Sequence, residues 1–269
     1  MFRVNNCERG QMRNISDWDE KFKSLPFERI QEKYRVIKST EVLNRTTSEK
    51  QPSRILEVGP GLNSICPDLF PSKEVVLIEP ARTLYEYNKE KFFDRSNVTV
   101  LEKTIINFAN NSKPLVFDLI VMNGVIHELD NPRAELSKLM QLLEPRGTIV
   151  ISVPNNQSIH RLMGVALGIL ASPESKTDME INLQQSHNFS PGTLTDLIVD
   201  LGLSVRLLET SFVKPHTHLK MQEWVDEGVL KEKDLDKLFE LSKIFDPFGS
   251  EIFMAARPAN PATWAQRIM

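Results

Sequence analysis

The chain has 269 residues, of which 41% are hydrophobic and 26% charged, with 11 glycines and 16 prolines. This composition is typical of one large globular α/β domain with an added cap, and it excludes collagen-like repeats and long disorder. The 33 basic and 36 acidic residues give a net charge of −3, so no strong positive field attracts nucleic acid or an anionic membrane. We therefore expect a small-molecule partner, no nucleic acid and no membrane, and the sequence leaves a homodimer open.

The cysteine count and the apolar stretches indicate a cellular compartment. Cys7 and Cys66 are too few and too far apart for a disulfide framework or a zinc cluster. The N-terminal segment lacks the apolar core of a signal peptide, and the longest apolar stretch, residues 162–171, contains two glycines and is too short to span a bilayer. We expect a cytoplasmic protein without a metal site.

The N-terminal part of the chain has the pattern of amphipathic helices. Apolar residues recur among many charges between residues 15 and 45, with a break at Pro26. A polar run at residues 46–52 separates this region from the first strand-like run. We predict a helical cover or lid over residues 1–50 and an α/β domain over residues 51–269.

From residue 54 onwards, strand-like runs alternate with helical stretches, which predicts a doubly wound, mostly parallel sheet. Seven strands are predicted, at residues 54–58, 74–78, 98–101, 117–122, 147–153, 203–208 and 250–256. Helices are predicted after Thr83 and Pro132, at residues 156–170 and 191–201, with a polar loop at 173–185. A charged helical insertion over residues 220–245 precedes the last strand.

A glycine-rich turn follows the first predicted strand. Gly59 and Gly61 flank Pro60 at a point where the absence of a Cβ lets backbone approach a ligand. Glu79 ends the second strand, a position from which a carboxylate accepts both hydroxyls of a ribose. The pattern indicates an adenosine ligand, and the alternative is a tight turn followed by an acid that only caps a helix.

Two adenosine ligands fit this layout, a nicotinamide dinucleotide and S-adenosylmethionine. The dinucleotide fingerprint has a third glycine, where this chain has Ser64. Glu57, two residues before the first glycine, would repel a pyrophosphate but can receive the ammonium of a methionine moiety, directly or through water. The residues favour S-adenosylmethionine.

Residues 55–62, 117–132 and 142–153 resemble the class I S-adenosylmethionine-dependent methyltransferase family, with a resemblance that covers residues 54–155. It implies a Rossmann-like methyltransferase fold with S-adenosylmethionine as cofactor and S-adenosylhomocysteine as product. It places Glu57, Gly59, Pro60 and Gly61 at the methionine end, Glu79 on the ribose, Pro80 beside the adenine and Asn123 under the sulfonium. After the third strand the family's acidic residue is replaced, so we expect backbone groups around Thr104 and Ile105 to contact the adenine.

Five histidines supply candidate bases for the acceptor, because a hydroxyl must lose its proton when it is methylated. His160 follows the fifth strand in P-N-N-Q-S-I-H-R-L, which resembles a methyltransferase subgroup that acts on sugars and other natural-product intermediates. His187 lies where that subgroup often has Gly-His. We predict His187 or His160 as the base, with His127 and Arg161 as acceptor contacts and with residues 155–192 and 214–247 as acceptor-site or lid segments. Each histidine also fits a purely structural role.

The predicted function is transfer of a methyl group to an oxygen, in preference to a nitrogen, of a sugar, polyketide or peptide natural product. One alternative is an NAD(P)-dependent oxidoreductase, which Ser64 and the missing Tyr-x-x-x-Lys motif disfavour. Another is a non-catalytic scaffold that binds the adenosyl ligand. His216 and His218 have the spacing of a metal pair, but two histidines alone are weak evidence for a metal.

Overall fold

A seven-stranded sheet forms the centre of the fold in a computed structural model that describes residues 25–111 and 116–268. Residues 1–24 of the predicted cover, which include Cys7, lie outside this part of the chain. The strands are β1 (Arg54–Val58), β2 (Glu74–Ile78), β3 (Val98–Leu101), β4 (Phe117–Asn123), β5 (Leu143–Pro154), β6 (Leu203–Ser211) and β7 (Glu251–Pro258). Their order is β3-β2-β1-β4-β5-β7-β6, and β7 runs antiparallel to both of its neighbours. The predicted seven-stranded, mostly parallel sheet is confirmed.

Helices cover both faces of this sheet. They are α1 (Glu28–Thr47), α2 (Cys66–Leu69), α3 (Arg82–Lys91), α4 (Ile105–Asn111), α5 (Pro132–Leu139), α6 (Ile159–Ala166), α7 (Asp178–Asn182), α8 (Pro191–Asp200), α9 (His218–Asp226), α10 (Glu232–Leu241) and α11 (Pro261–Ile268). Alternation along β1 explains the two layers, because Leu56 and Val58 pack with α4, α5, α8 and α11 while Ile55 packs with α1. No helix within the described ranges has the length and apolarity needed to cross a membrane.

Helix α1 begins just after Pro26 and has a buried stripe at helical spacing. The stripe changes character along the helix: its first half carries polar residues such as Glu28 and Gln31, and its second half carries Val42 and Leu43. Val42 and Leu43 are fully buried against the sheet. The apolar half therefore anchors α1, while the polar half lies above the carboxyl ends of the strands.

The insertion before β7 packs on the N-terminal half of α1. Phe27, Tyr34, Phe212, Met221 and Leu235 form a separate buried cluster that joins α1 to α9 and α10. The hydroxyl of Tyr34 donates a 2.7 Å hydrogen bond to an Asp236 carboxylate oxygen, which ties α1 to α10. The described part of the predicted cover and the insertion thus form one layer.

Several predicted boundaries were wrong. The insertion is two helices, because Gly228 with a φ of 70° ends α9. The predicted polar loop at residues 173–185 contains α7, whose first turn is stabilised by a reciprocal capping box between Thr177 and Glu180. The helix predicted at residues 156–170 spans only Ile159–Ala166, and β5 begins four residues before the predicted Gly147. Helices α2, α4 and α11 were not predicted.

Candidate active site

The glycine-rich turn lies at the carboxyl end of β1, where β1 separates β2 from β4 and the strand order reverses. Gly59 and Gly61 have φ values of 60° and 57°, in the left-handed region that favours glycine. A Cβ on Gly59 would come within 2.8 Å of Val125 Cγ2, whereas a Cβ on Gly61 would meet no atom within 4 Å. The turn therefore packs closely against the loop after β4 on one side and borders open space on the other.

Glu79 reaches this turn from the end of β2. One carboxylate oxygen accepts a 3.2 Å hydrogen bond from the Gly61 backbone N–H, and the other accepts a 3.0 Å bond from the Ala81 N–H. The side chain is buried. The carboxylate predicted to hold a ribose thus lies directly beside the turn predicted to hold the methionine end.

Glu57 is buried beneath the turn. Its carboxylate accepts hydrogen bonds from the Ser64 hydroxyl at 2.7 Å and from the backbone N–H groups of Ile65 and Cys66 at 3.1 Å. Burial raises the pKa of Glu57, and these hydrogen bonds oppose the shift. Glu57 therefore organises the segment that leads into α2, and its contact with an ammonium remains a prediction. Ser64, at the third-glycine position, serves the same interaction.

Asn123 ends β4 under helix α1. The Ser39 hydroxyl donates a 3.0 Å hydrogen bond to Asn123 Oδ1. The next residue, Gly124, has a φ of 67°, and a Cβ there would lie 4.0 Å from the Arg35 guanidinium. Helix α1 thus covers Asn123, the residue predicted to lie under the sulfonium.

The remaining predicted adenine contacts lie further along the same edge of the sheet. Thr104 caps α4, since its hydroxyl accepts a 3.2 Å hydrogen bond from the Asn107 N–H. The Ile105 side chain packs in the core, and Pro80 is half-buried between Glu79 and Ala81. The Ile105 side chain is thus not a candidate ligand contact, and the adenine contacts of all three residues remain predictions.

A cavity of about 750 Å³ extends from the glycine-rich turn to the predicted acceptor segments. A cavity of this size is within the range that holds small molecules and cofactors. Its wall includes predicted cofactor residues and predicted acceptor residues: Gly59, Pro60, Gly61, Asn123, His127, His160, Arg161 and His187. The cavity therefore joins the glycine-rich turn and Asn123 to the predicted acceptor residues, whereas five predicted cofactor residues are not part of its lining: Glu57, Glu79, Pro80, Thr104 and Ile105.

Both candidate bases line this cavity. His187 Nε2 lies 3.3 Å from the Asp130 carbonyl oxygen, which only accepts, so Nε2 donates in this contact. His160 Nδ1 lies 3.0 Å from the Ser158 hydroxyl, a contact that fits either tautomer. Burial, followed by the nearby charge of Lys214, lowers the pKa of His160 well below its usual value. The His160 ring is therefore neutral at pH 7, and the same burial and positive charge oppose its protonation.

His127 and Arg161 hold surrounding segments in place. His127 Nε2 lies 3.1 Å from a Glu128 carboxylate oxygen, and the Gln185 side chain donates to the same oxygen at 2.7 Å. Arg161 forms a buried 2.6 Å ion pair with Glu180 and donates to the backbone carbonyls of residues 173 and 175. Both residues also line the cavity, and their contact with an acceptor remains a prediction.

Sequence reasoning missed a buried charged cluster in the cavity wall. Arg35 binds Glu251 at 2.5 Å and Glu28 at 3.2 Å, and Lys214 and His218 lie beside them. His216 and His218, whose spacing alone was weak evidence for a metal, belong to this wall. The described residues contain no group of three or more His, Cys, Asp or Glu that could hold a metal. Arg35 and Glu251 are 216 positions apart, so no local pattern reveals their pairing.

The sheet order, the glycine-rich turn and the acid at the end of β2 define a Rossmann-like methyltransferase fold. The chain belongs to the methyltransferase domain family, whose model matches residues 27–208. This match confirms the predicted family and disfavours the oxidoreductase alternative.

Solved structures with the same fold cover almost the whole chain. The plantazolicin methyltransferase BamL, solved with a triazolic desmethylPZN analog and SAH, is 15% identical with a TM-score of 0.56, over 91% of this chain and 96% of its own. The N-methyltransferase NodS from Bradyrhizobium japonicum WM9, solved with SAH, is 15% identical with a TM-score of 0.52, over 91% of this chain and 97% of its own. No curated protein matches the sequence. At these identities the likeness establishes the fold.

Proposed function

We propose that this protein transfers the methyl group of S-adenosylmethionine to an oxygen, in preference to a nitrogen, of a small-molecule acceptor such as a sugar, polyketide or peptide natural product. The observation that carries this proposal is the continuous cavity from the glycine-rich turn and Asn123 to His160 and His187. Two structural neighbours, BamL and NodS, were solved with SAH, which supports the cofactor. BamL is a plantazolicin methyltransferase, which supports a natural-product acceptor, whereas NodS is an N-methyltransferase, so the preference for oxygen rests on the two histidines.

The cofactor half of the cavity has the features that S-adenosylmethionine requires. Gly61 borders open space, which leaves room for a ligand beside the backbone. The Glu79 carboxylate can accept hydrogen bonds from ribose hydroxyls, and Asn123 would lie beside the sulfonium. When bound, the cofactor supplies an electrophilic methyl group on sulfur. The chain's own task is then to align the acceptor with that methyl group and to exclude water.

Helix α1 contributes to both of these tasks. Because Ser39 bonds to Asn123 and Arg35 lies beside Gly124, the helix covers the point where the two halves of the cavity meet. An acceptor hydroxyl held there must lose its proton as the new bond forms, and a neutral imidazole receives it. His160 and His187 are the two candidates, and only one of them needs to act as the base.

The proposal is tested with purified protein, radiolabelled S-adenosylmethionine and a panel of hydroxyl and amine acceptors, with NADH binding measured in parallel. We expect methylated product from a hydroxyl acceptor. Replacement of the acting histidine by glutamine should lower kcat about 10²- to 10⁴-fold without changing cofactor affinity, because a base acts only in the chemical step. The other histidine variant serves as the matched control.

Each other outcome supports a different function. Turnover of amines alone would make the protein an N-methyltransferase. Cofactor binding without turnover of any acceptor would favour the scaffold alternative. NADH binding without S-adenosylhomocysteine binding would overturn the proposal.

A further inference from the structure

Lys214 is a buried cation in the cavity wall that the proposed methyl transfer does not use. The residue follows β6 and is only 3% exposed. It lines the cavity with Gln31, His160 and His218. A buried ammonium without a close counter-charge is costly, so such a group points to a ligand that completes it.

The direct contacts of Lys214 are long and involve neutral groups. Its Nζ lies 3.3 Å from Gln31 Oε1, which also accepts from His218 Nε2 at 2.9 Å. Because His218 Nε2 is a donor in that bond, the ring can offer Lys214 only Nδ1, at 3.4 Å. An ammonium has three N–H groups, so its hydrogen-bonding capacity is poorly used by these contacts.

The nearby carboxylates are held by other cations. Glu28 and Glu251 both bind Arg35, and Glu180 binds Arg161. Within residues 25–111 and 116–268, no carboxylate oxygen lies within 4.0 Å of Lys214 Nζ. Arg35, Glu28 and Glu251 form a cluster, the Arg35 cluster, with one excess negative charge. Lys214 offsets that charge without a direct contact, so its own N–H groups lack a close anionic partner.

The electrostatic surroundings agree with this geometry. Burial lowers the pKa of Lys214 to about 8, although Glu28 and Glu251 favour its charged form. Two further positive groups, Arg161 and Arg35, add to the lowering. The groups that face Lys214 thus come from α1, α6, α9 and β7, and they include His160 and His218, whose own pKa values are lowered. An anion placed against Lys214 would stabilise its charged form.

Several residues that line the cavity are apolar and exposed. Leu167, Ile169 and Leu219 line the cavity, and their exposed fractions are 66%, 72% and 62%. Met163 and Leu170 also line the cavity. Exposed apolar side chains at the edge of a cavity are typical of a binding groove for an apolar ligand.

We propose that the methyl acceptor is an apolar molecule with a carboxylate, that the carboxylate binds Lys214, and that the apolar part lies along Met163, Leu167, Ile169 and Leu219. This inference rests on the proposed function, since it names the acceptor class for that site. A carboxylate fits better than a phosphate, because a second negative charge would lie close to Glu28 and Glu251.

The test is calorimetric titration of the full-length protein, saturated with S-adenosylhomocysteine, with three ligands that share one apolar part. Phenylbutyrate, phenylbutanol and phenylbutylamine share the apolar part and differ in the head group, which is a carboxylate, a hydroxyl or an ammonium. We expect phenylbutyrate to bind at least about tenfold more tightly than the other two ligands, because one charge-assisted hydrogen bond increases affinity by about that factor. Its affinity should decrease above pH 8, where free Lys214 loses its proton, while that of phenylbutanol should stay constant.

Variants of Lys214 separate charge from shape. Lys214→Met should reduce phenylbutyrate affinity about tenfold or more and leave phenylbutanol affinity unchanged, because only the charged contact is lost. Lys214→Arg should retain part of the preference. Lys237→Met is the matched control, since Lys237 is an exposed lysine paired with Glu240 on α10. A thermal melt and S-adenosylhomocysteine affinity check that each variant is folded.

The result also separates this inference from the proposed function. If S-adenosylhomocysteine binds but the three ligands bind equally, or not at all, the carboxylate acceptor is wrong and the methyltransferase proposal stands. Tightest binding of the amine or the alcohol would overturn the inference in the same way. An unchanged phenylbutyrate affinity in Lys214→Met would show that Lys214 is not the anion site. Failure of S-adenosylhomocysteine to bind the wild-type protein would instead contradict the proposed function.

Discussion

Replacement of Glu79 tests the cofactor half of the site. In the structure its carboxylate accepts hydrogen bonds from Gly61 and Ala81, and the proposal adds two ribose hydroxyls as donors. Loss of two charge-assisted hydrogen bonds to a ligand corresponds to about 3 kcal/mol, or about a hundredfold in affinity. We therefore expect Glu79→Ala to weaken S-adenosylhomocysteine binding about a hundredfold.

A second substitution at the same position refines this magnitude. Glu79→Gln keeps one acceptor oxygen for the Ala81 N–H but removes the negative charge, so we expect a loss of about tenfold. Glu86→Ala is the control, because Glu86 is an exposed acid on α3 that pairs with Arg82 on the surface. That variant should bind the ligand like the wild type, because Glu86 is exposed. Loss of its surface ion pair should also leave the fold intact, since exposed pairs contribute about 1 kcal/mol or less to folding stability.

The assay is isothermal titration calorimetry with S-adenosylhomocysteine, with NADH as a negative ligand and circular dichroism to verify folding. A folded Glu79→Ala protein that binds S-adenosylhomocysteine with wild-type affinity would refute the assignment of this carboxylate to the ribose. A loss of affinity in Glu86→Ala as large as in Glu79→Ala would show that the effect is not local to the site.

Three further predictions concern stability. Gly59→Ala should lower the free energy of unfolding by about 3 kcal/mol, measured in urea, because Gly59 has a positive φ and a Cβ there would clash with Val125. Adding Val125→Ala should recover the part of this loss that comes from the clash, and no recovery would contradict the packing. Arg161→Met should leave Glu180 as a buried charge without its cation and cost about 3 kcal/mol, seen as faster amide exchange at residues 173–182. A second change, Glu180→Gln, removes the charge but keeps an acceptor for the capping box, and it should recover part of the loss. The pKa of Lys214 is lowered to about 8 in the folded protein, so above that pH the unfolded chain binds more protons than the folded one. The stability of the wild type relative to Lys214→Met should therefore rise by up to about 3 kcal/mol between pH 8 and 10. A decrease over that range would exclude a lowered pKa.

The strands of the cofactor half were predictable because their sequences fit a buried strand and no other kind of element. Strands β1, β2 and β3 have the bounds predicted from short apolar runs between turn residues. Gly59, Gly61 and Glu79 follow two of these strands, so their proximity at one sheet edge follows from parallel topology alone. Strand β5 was harder, because its first residues pair with Phe117 before a shift in register that the L-x-P-x-G pattern does not reveal.

The acceptor half was less predictable, since its contacts join distant parts of the chain. Helix α7 had a local signal, the Thr177-x-x-Glu180 capping box, that the polar composition of the segment obscured. No role was predicted for Lys214. Its place beside Gln31 and the Arg35 cluster depends on how α1 crosses the sheet, which no single segment specifies.

The segments that cover the two halves of the cavity differ in how strongly they are attached to the rest of the fold. Helix α1 covers the cofactor half with Val42 and Leu43 in the main core and Arg35 bound to β7. The segment over the acceptor half contains the short helix α7 and is held by contacts that include the Arg161–Glu180 ion pair, the capping box and the Gln185–Glu128 hydrogen bond. Substitutions in that segment can therefore reshape the pocket without unfolding the sheet or disturbing the glycine-rich turn. Such a division lets acceptor preference diverge among related proteins while the cofactor chemistry is inherited unchanged.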